Sequence, residues 1–337
     1  MAVAGVLKPN QQIIPDLYNL VKILTLFAII GACFVAGHLG ALEMESRWPG
    51  GPGSIAWVVK WHWLLLTGTG ASIAVIGLGI LAHDAVHKVL FSRLWLNEWL
   101  GGYISAMALL PFHSNRQFHL AHHSYAHQPG KDPENPMHNH DSLLFAVTAG
   151  SVIALALQYR ILFYNLFTRY FTRRYFGRVT RDLVLVALAG LTYFVVIPAA
   201  GLPIGHSFLP MFLALPLVFG LRAISDHYGL PPLNRELKTE GKPTQTELDA
   251  WHEQNAPIQA EVTGWVILTN PVLEWLWSNV NYHEVHHKFP YLSYRYLKDT
   301  FEQTRDQLPY IVAHGYARNL FRQRKRKYYA DTMPQES

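Results

Sequence analysis

The sequence predicts an all-α, multi-pass membrane protein, with about four transmembrane helices in two hairpins and a helical cap on the cytoplasmic side. Three observations predict it. Half of the 337 residues are hydrophobic and only 15% are charged, against roughly 25% in soluble domains. The apolar residues come in runs close to the ~20 needed to cross a bilayer. Three compact histidine clusters lie outside those runs, at helical spacing.

The whole chain, 1–337, reads as one membrane-embedded domain. Residues 1–19 form a polar N-terminal segment with no signal-peptide cleavage pattern, so insertion relies on the spans themselves. Residues 20–82 form the first hairpin. Leu20 to Leu42 is one span, in which Lys22 could snorkel to the interface, and Leu64 to Leu81 is the next. The turn-rich Arg47 to Gly53 joins them, and Trp57, Trp61 and Trp63 form an interfacial belt. Residues 83–141 stay on the cytoplasmic side and carry the first two histidine clusters. Gly101 to Phe112 is too short to span. Leu143 to Leu157 is apolar but also short. If it crossed, Arg169, Arg173, Arg174, Arg178 and Arg181 would lie outside the cytoplasm, against the positive-inside rule. It therefore reads as interfacial or re-entrant.

Residues 183–224 form the second hairpin, Leu183 to Ile197 and Phe208 to Ile224, joined by Pro198 to Gly205. Residues 225–337 complete the cap. Pro231 to Glu261 is a polar surface insertion. Val262 to Val280, with Trp265, Trp275 and Trp277, packs on the metal region or the membrane. The basic run Arg322 to Lys327 either rests on anionic headgroups or is a solvated tail.

Composition also excludes. The single cysteine, Cys33, leaves no internal disulfide and no Cys-ligated iron–sulfur cluster. The net charge of +5 is spread along the edges of apolar runs, which argues against nucleic acid as a partner. Gly68-Thr-Gly70 lies in an apolar span and lacks a third glycine, so a dinucleotide domain has no anchor; a serine-hydrolase elbow has none either.

The clusters are His83-Asp-Ala-Val-His87, His119-Leu-Ala-His122-His123 and His283-Glu-Val-His286-His287. Residues i, i+3 and i+4 share a helix face, so each cluster points its imidazoles one way. Neutral imidazole suits iron, copper, nickel and zinc. Eight such ligands exceed the three or four of a zinc site, and two ions fit the count better. Two irons can also supply the electrons that dioxygen activation needs, which zinc cannot. The third cluster spells His-Glu-x-x-His as well, the zinc-protease pattern with Glu284 as base between His283 and His287. That alternative leaves His83, His87, His119, His122, His123 and His286 without a role. Asp84, Asn281 and Glu284 are better read as partners that orient the imidazoles.

In order and spacing the three clusters resemble the histidine boxes of the membrane fatty acid desaturase superfamily, over roughly residues 60 to 300. Asn97-Glu-Trp-Leu-Gly101, Lys131-Asp-Pro-Glu134 and Asn281-Tyr-His-Glu-Val-His-His-Lys-Phe-Pro290 are similar to the text around those boxes. The resemblance implies a di-iron (Fe) centre in the cap and a ninth ligand, His227. Arg222-Ala-Ile-Ser-Asp-His227 matches the acyl-lipid members' Arg…Glu-His element, with Asp226 in the Glu place. Some members carry an asparagine four residues before this histidine as a water-mediated ligand; here Ala223 stands there and cannot make that contact.

It further implies oxygen-dependent formation of a double bond in a fatty acyl or other lipid substrate. The chain has no flavin, haem or iron–sulfur motif of its own, so an external electron donor, a ferredoxin or a cytochrome b5-like protein, would dock on the cytoplasmic face near Arg173, Arg174 and Lys288. The alternative within the superfamily is a lipid or carotenoid hydroxylase or ketolase, which Pro129-Gly130 and Asp132-Pro133 also suggest. His38, His62, His138, His140, His206, His252 and His314 read as non-ligands. His113 and His127, closer to the second box, could support its ligands.

Overall fold

The structure is a computed structural model and describes residues 6–127, 130–134, 137, 140, 142–228, 230 and 262–323. The polar insertion and most of the basic tail lie outside the described residues, as does Pro129. The chain separates into two compact units that interleave in sequence.

One unit comprises residues 14–115 and 158–219. Helices α1 (Asp16–Arg47) and α2 (Ile55–Val86) form the first hairpin. At 1.5 Å per residue each is about 48 Å long, well beyond the ~30 Å hydrocarbon core. Ser54 starts α2 by accepting a hydrogen bond from the Trp57 amide at 3.2 Å. The projecting last turn of α2 carries His83 and Asp84, and His87 caps it.

Lys22 does not snorkel. It is only 2% exposed and shares the inner face of α1 with the fully buried Asn19. The cause is the docking of this end of α1 onto the loop after the first box. Asn19 Nδ2 donates to the Leu90 carbonyl, and Asp16 accepts from the Ser92 amide at 2.8 Å.

Helix α3 (Leu94–Met107) is too short to cross, at about 21 Å. Helix α4 (Phe112–Tyr125) carries the second box. Leu110 and Pro111 offer no capping side chain at its start, and the cap comes from far along the chain. Buried Asp182 accepts from the His113 amide at 2.7 Å, the Ser114 amide at 3.0 Å and Ser114 Oγ at 2.9 Å.

Among the described residues, five helices are long and apolar enough to cross a membrane: α1, α2, α5 (Leu143–Thr168), α6 (Arg173–Ala199) and the segment Ile204–Asp226, whose α-helical part is α7 (Phe208–Ala223). That is one more than the two expected hairpins. The addition is α5, which runs eleven residues beyond Leu157 because buried Gln158 and Asn165 pack inward. Parity limits the crossings. His122, before α5, meets His227, after α7, at 3.2 Å. The intervening chain must therefore cross an even number of times, and three candidate spans lie between. The α5 helix is the least apolar of the five.

The other unit comprises residues 1–13, 116–157 and 220–337. Strands β1 (Trp265–Leu268) and β2 (Ile311–His314) pair in parallel, a small addition to an otherwise helical architecture. Val266 also bridges Tyr282, one residue before the third box. Its described residues also form the short helices α8 (Pro271–Leu276), α9 (His283–Lys288), α10 (Leu297–Thr304) and α11 (Tyr316–Gln323). Trp265, Tyr282 and Val285 form its core. The start of the apolar stretch after Val262 thus packs against the third box, the first of the two placements its composition allowed.

Candidate metal centre

Seven of the nine proposed ligands meet in the second of these units. On α4, His119 and His123 sit one turn apart with Nε2 atoms 2.8 Å from each other; on α9, His283 and His287 do the same at 3.2 Å. His286 Nε2 approaches His123 Nε2 at 3.0 Å. His227, in the turn that ends the segment after α7, places Nε2 2.8 Å from His283 Nε2. Two sets result: His119, His123 and His286, and His122, His227 and His287. Within each, the candidate ligand atoms lie within 4.8 Å of one another. In the other unit, His83 and His87 stack edge to face at 5.1 Å.

Hydrogen bonds fix which nitrogen carries the proton. His122 Nδ1 lies 3.0 Å from both Asp132 oxygens, so it donates. His227 Nδ1 lies 2.9 Å from the Thr263 carbonyl, which can only accept. With both rings neutral, both Nε2 atoms are lone pairs, yet they face each other at 3.2 Å, and His227 Nε2 faces His283 Nε2 as well. One proton cannot relieve both contacts, whereas a cation among the rings relieves them together. The donor set, neutral and nitrogen-only, fits a first-row transition metal.

Burial disfavours charge on His122, but Glu134 and Asp132 outweigh it and raise its pKa to about 9, so this ring must give up its Nε2 proton to ligate. Burial and the surrounding imidazoles push His287 well below the usual range, which keeps it neutral and ready to ligate.

The profile of the fatty acid desaturase family matches residues 55–318. The chain belongs to the fatty acid desaturase family. It is similar to an sn-1 oleoyl-lipid 12-desaturase of Arthrospira platensis, 28% identical over 71 residues. That match spans 21% of this chain and 20% of the relative's length.

In this desaturase-family chain the residues named as orienting partners act at different points. Glu284 is fully buried and accepts from the Thr263 amide at 2.7 Å, the Gly264 amide at 2.6 Å and Thr263 Oγ1 at 3.1 Å. Lys288 lies 2.9 Å from it. Glu284 therefore holds the loop whose carbonyl supports His227. Burial raises its pKa. A carboxylate so engaged does not fit the water-activating base of the zinc-protease reading. Asn281 donates to the Ile267 carbonyl at 3.0 Å and ties the third box to β1. Asp84 is buried beside His83 in the last turn of α2.

Three supporting groups were not read as such from sequence. Asp132 lies in the quoted Asp-Pro-Glu, but its role became visible only in its contacts. Asp226 pairs with Arg222 at 2.8 Å and sits 3.8 Å from His283 Nδ1. The Thr263 carbonyl leaves no side-chain signal at all. His127, which the sequence offered as a support for the second box, is fully buried, and its Nε2 lies 2.8 Å from the same carbonyl. Burial lowers its pKa to about 4.

Proposed function

We propose that the protein is an oxygen-dependent oxidoreductase, a desaturase that introduces a double bond into the acyl chain of a lipid or fatty acyl substrate. The observation that supports this most is the convergence of imidazole lone pairs in two sets, in a chain of this family. The proposed ligands are His83, His87, His119, His122, His123, His227, His283, His286 and His287. Two bound irons would supply the electrons for dioxygen activation, which a single zinc cannot.

The chain's own residues prepare that centre. Asp132 and the Thr263 carbonyl hold protons on the Nδ1 atoms of His122 and His227, which leaves both Nε2 atoms free to ligate. Glu284 fixes the Thr263–Gly264 backbone. The relative's activity on an oleoyl lipid supports an acyl lipid as the substrate class. The boxes are proposed to face the cytoplasm. There a ferredoxin or cytochrome b5-like donor would meet basic residues such as Arg173, Arg174 and Lys288.

The test is lipid profiling of a host expressing the chain, with carotenoids supplied. A new double bond in the fatty acids is expected. A hydroxylated or oxidised carotenoid with unchanged fatty acids would instead assign the chain to the hydroxylase or ketolase branch.

A further inference from the structure

We propose that His127 is a positioning residue that ties together the two acceptors on which the ligands His122 and His227 depend. The inference rests on the two-metal reading above and deepens it.

His127 reaches both acceptors at once. Its backbone amide donates to Asp132 Oδ2 at 2.6 Å, the carboxylate that accepts from His122 Nδ1. Its ring Nε2 lies 2.8 Å from the Thr263 carbonyl, the group that accepts from His227 Nδ1. A carbonyl accepts only, so the His127 proton sits on Nε2. The ring is thus a donor toward the support and not a lone pair offered to a metal. His227 Nδ1 is 3.3 Å from the same Nε2; two N–H groups converge there on one oxygen. One carbonyl with two lone pairs can serve both.

The backbone carries the cost of this arrangement. His127 has φ +64°, a left-handed conformation that non-glycine residues seldom adopt. That turn, directly after α4, swings the amide back toward Asp132 while the buried ring points to Thr263. A glycine would adopt the turn more easily but would leave the Thr263 carbonyl with one donor fewer. A strained residue kept at a fully buried position, with both its amide and its ring engaged, is what a staple between two supports requires.

The experiment is cobalt(II) titration of the full-length, detergent-purified protein after removal of metal, followed by visible d–d absorption. Wild type is expected to bind two ions. His127→Leu keeps the amide and removes the ring donor. It should weaken binding of one ion by about 10- to 100-fold and shift its absorption bands. His127→Gln, whose amide can reach the Thr263 carbonyl, should restore most of the affinity and the wild-type bands. His127→Asn, one methylene shorter, should not. If His127→Leu fails to fold, the Gln and Asn pair decides, and equal binding by these two overturns the proposal. Wild-type affinity and spectrum in His127→Leu would overturn the role of His127 alone. No cobalt bound by wild type would overturn the two-metal reading with it.

Discussion

His227 and His283 face each other Nε2 to Nε2 at 2.8 Å across 56 residues of chain. The Nδ1 proton of His227 is committed to the Thr263 carbonyl, so its Nε2 lone pair points at His283. Replacing His227 with alanine should leave about one iron per chain where wild type holds about two, and should abolish product formation. His206→Ala is the control. His206 pairs with His38 at 3.0 Å and belongs to none of the boxes, so its loss should leave iron content unchanged. Metal analysis of the purified variants checks both.

Asp132→Asn keeps the shape of the side chain and removes its charge. Two acceptor oxygens at 3.0 Å from His122 Nδ1 become one oxygen and one donor. Outer contacts of this kind typically carry about 10- to 100-fold in metal affinity. The variant should lose iron to a chelator at concentrations that wild type withstands. Equal retention would mean that Asp132 does not orient His122.

Glu284→Gln separates the desaturase from the protease reading. Glu284 accepts from Thr263 and Gly264, and hydrogen bonds to a charged group are worth about 1.5–3 kcal/mol each. Thermal unfolding should begin at clearly lower temperature in the variant. A catalytic base could be neutralised with no loss of stability, so an unchanged melting temperature would contradict the structural role.

Gly220 marks a close approach between α7 and α5. A Cβ there would sit 1.8 Å from the Val147 carbonyl oxygen, far inside contact distance. Gly220→Ala should destabilise by about 1–3 kcal/mol, in the range of overpacked cores. Thermal unfolding measures it, and a neutral substitution would mean that the helices part at no cost.

Much of this was legible because it is local. His119, His122 and His123, and likewise His283, His286 and His287, announce a shared face by spacing alone. His227 has no such neighbour and became readable only through the likeness of Arg222 to His227 to a family element. Thr263 was not readable as a support, and His127 was so only by its closeness to the second box, with neither of its partners in view. Their bonds join residues 36 to 136 positions apart, and one partner is a backbone carbonyl, which any residue could supply. Lys22 misled for a related reason. Its position near a span end suggests snorkelling, but Asp16 and Asn19 dock that end onto Leu90 and Ser92. The fifth long helix was read only as far as Leu157, because Gln158 and Arg160 interrupt the apolar run without ending the helix.

The central claim is a two-iron centre held by converging imidazoles. Its most direct test is quantitative metal analysis of the full-length protein purified from an iron-sufficient host. The account predicts about two irons per chain and little zinc. One zinc and no iron would contradict it.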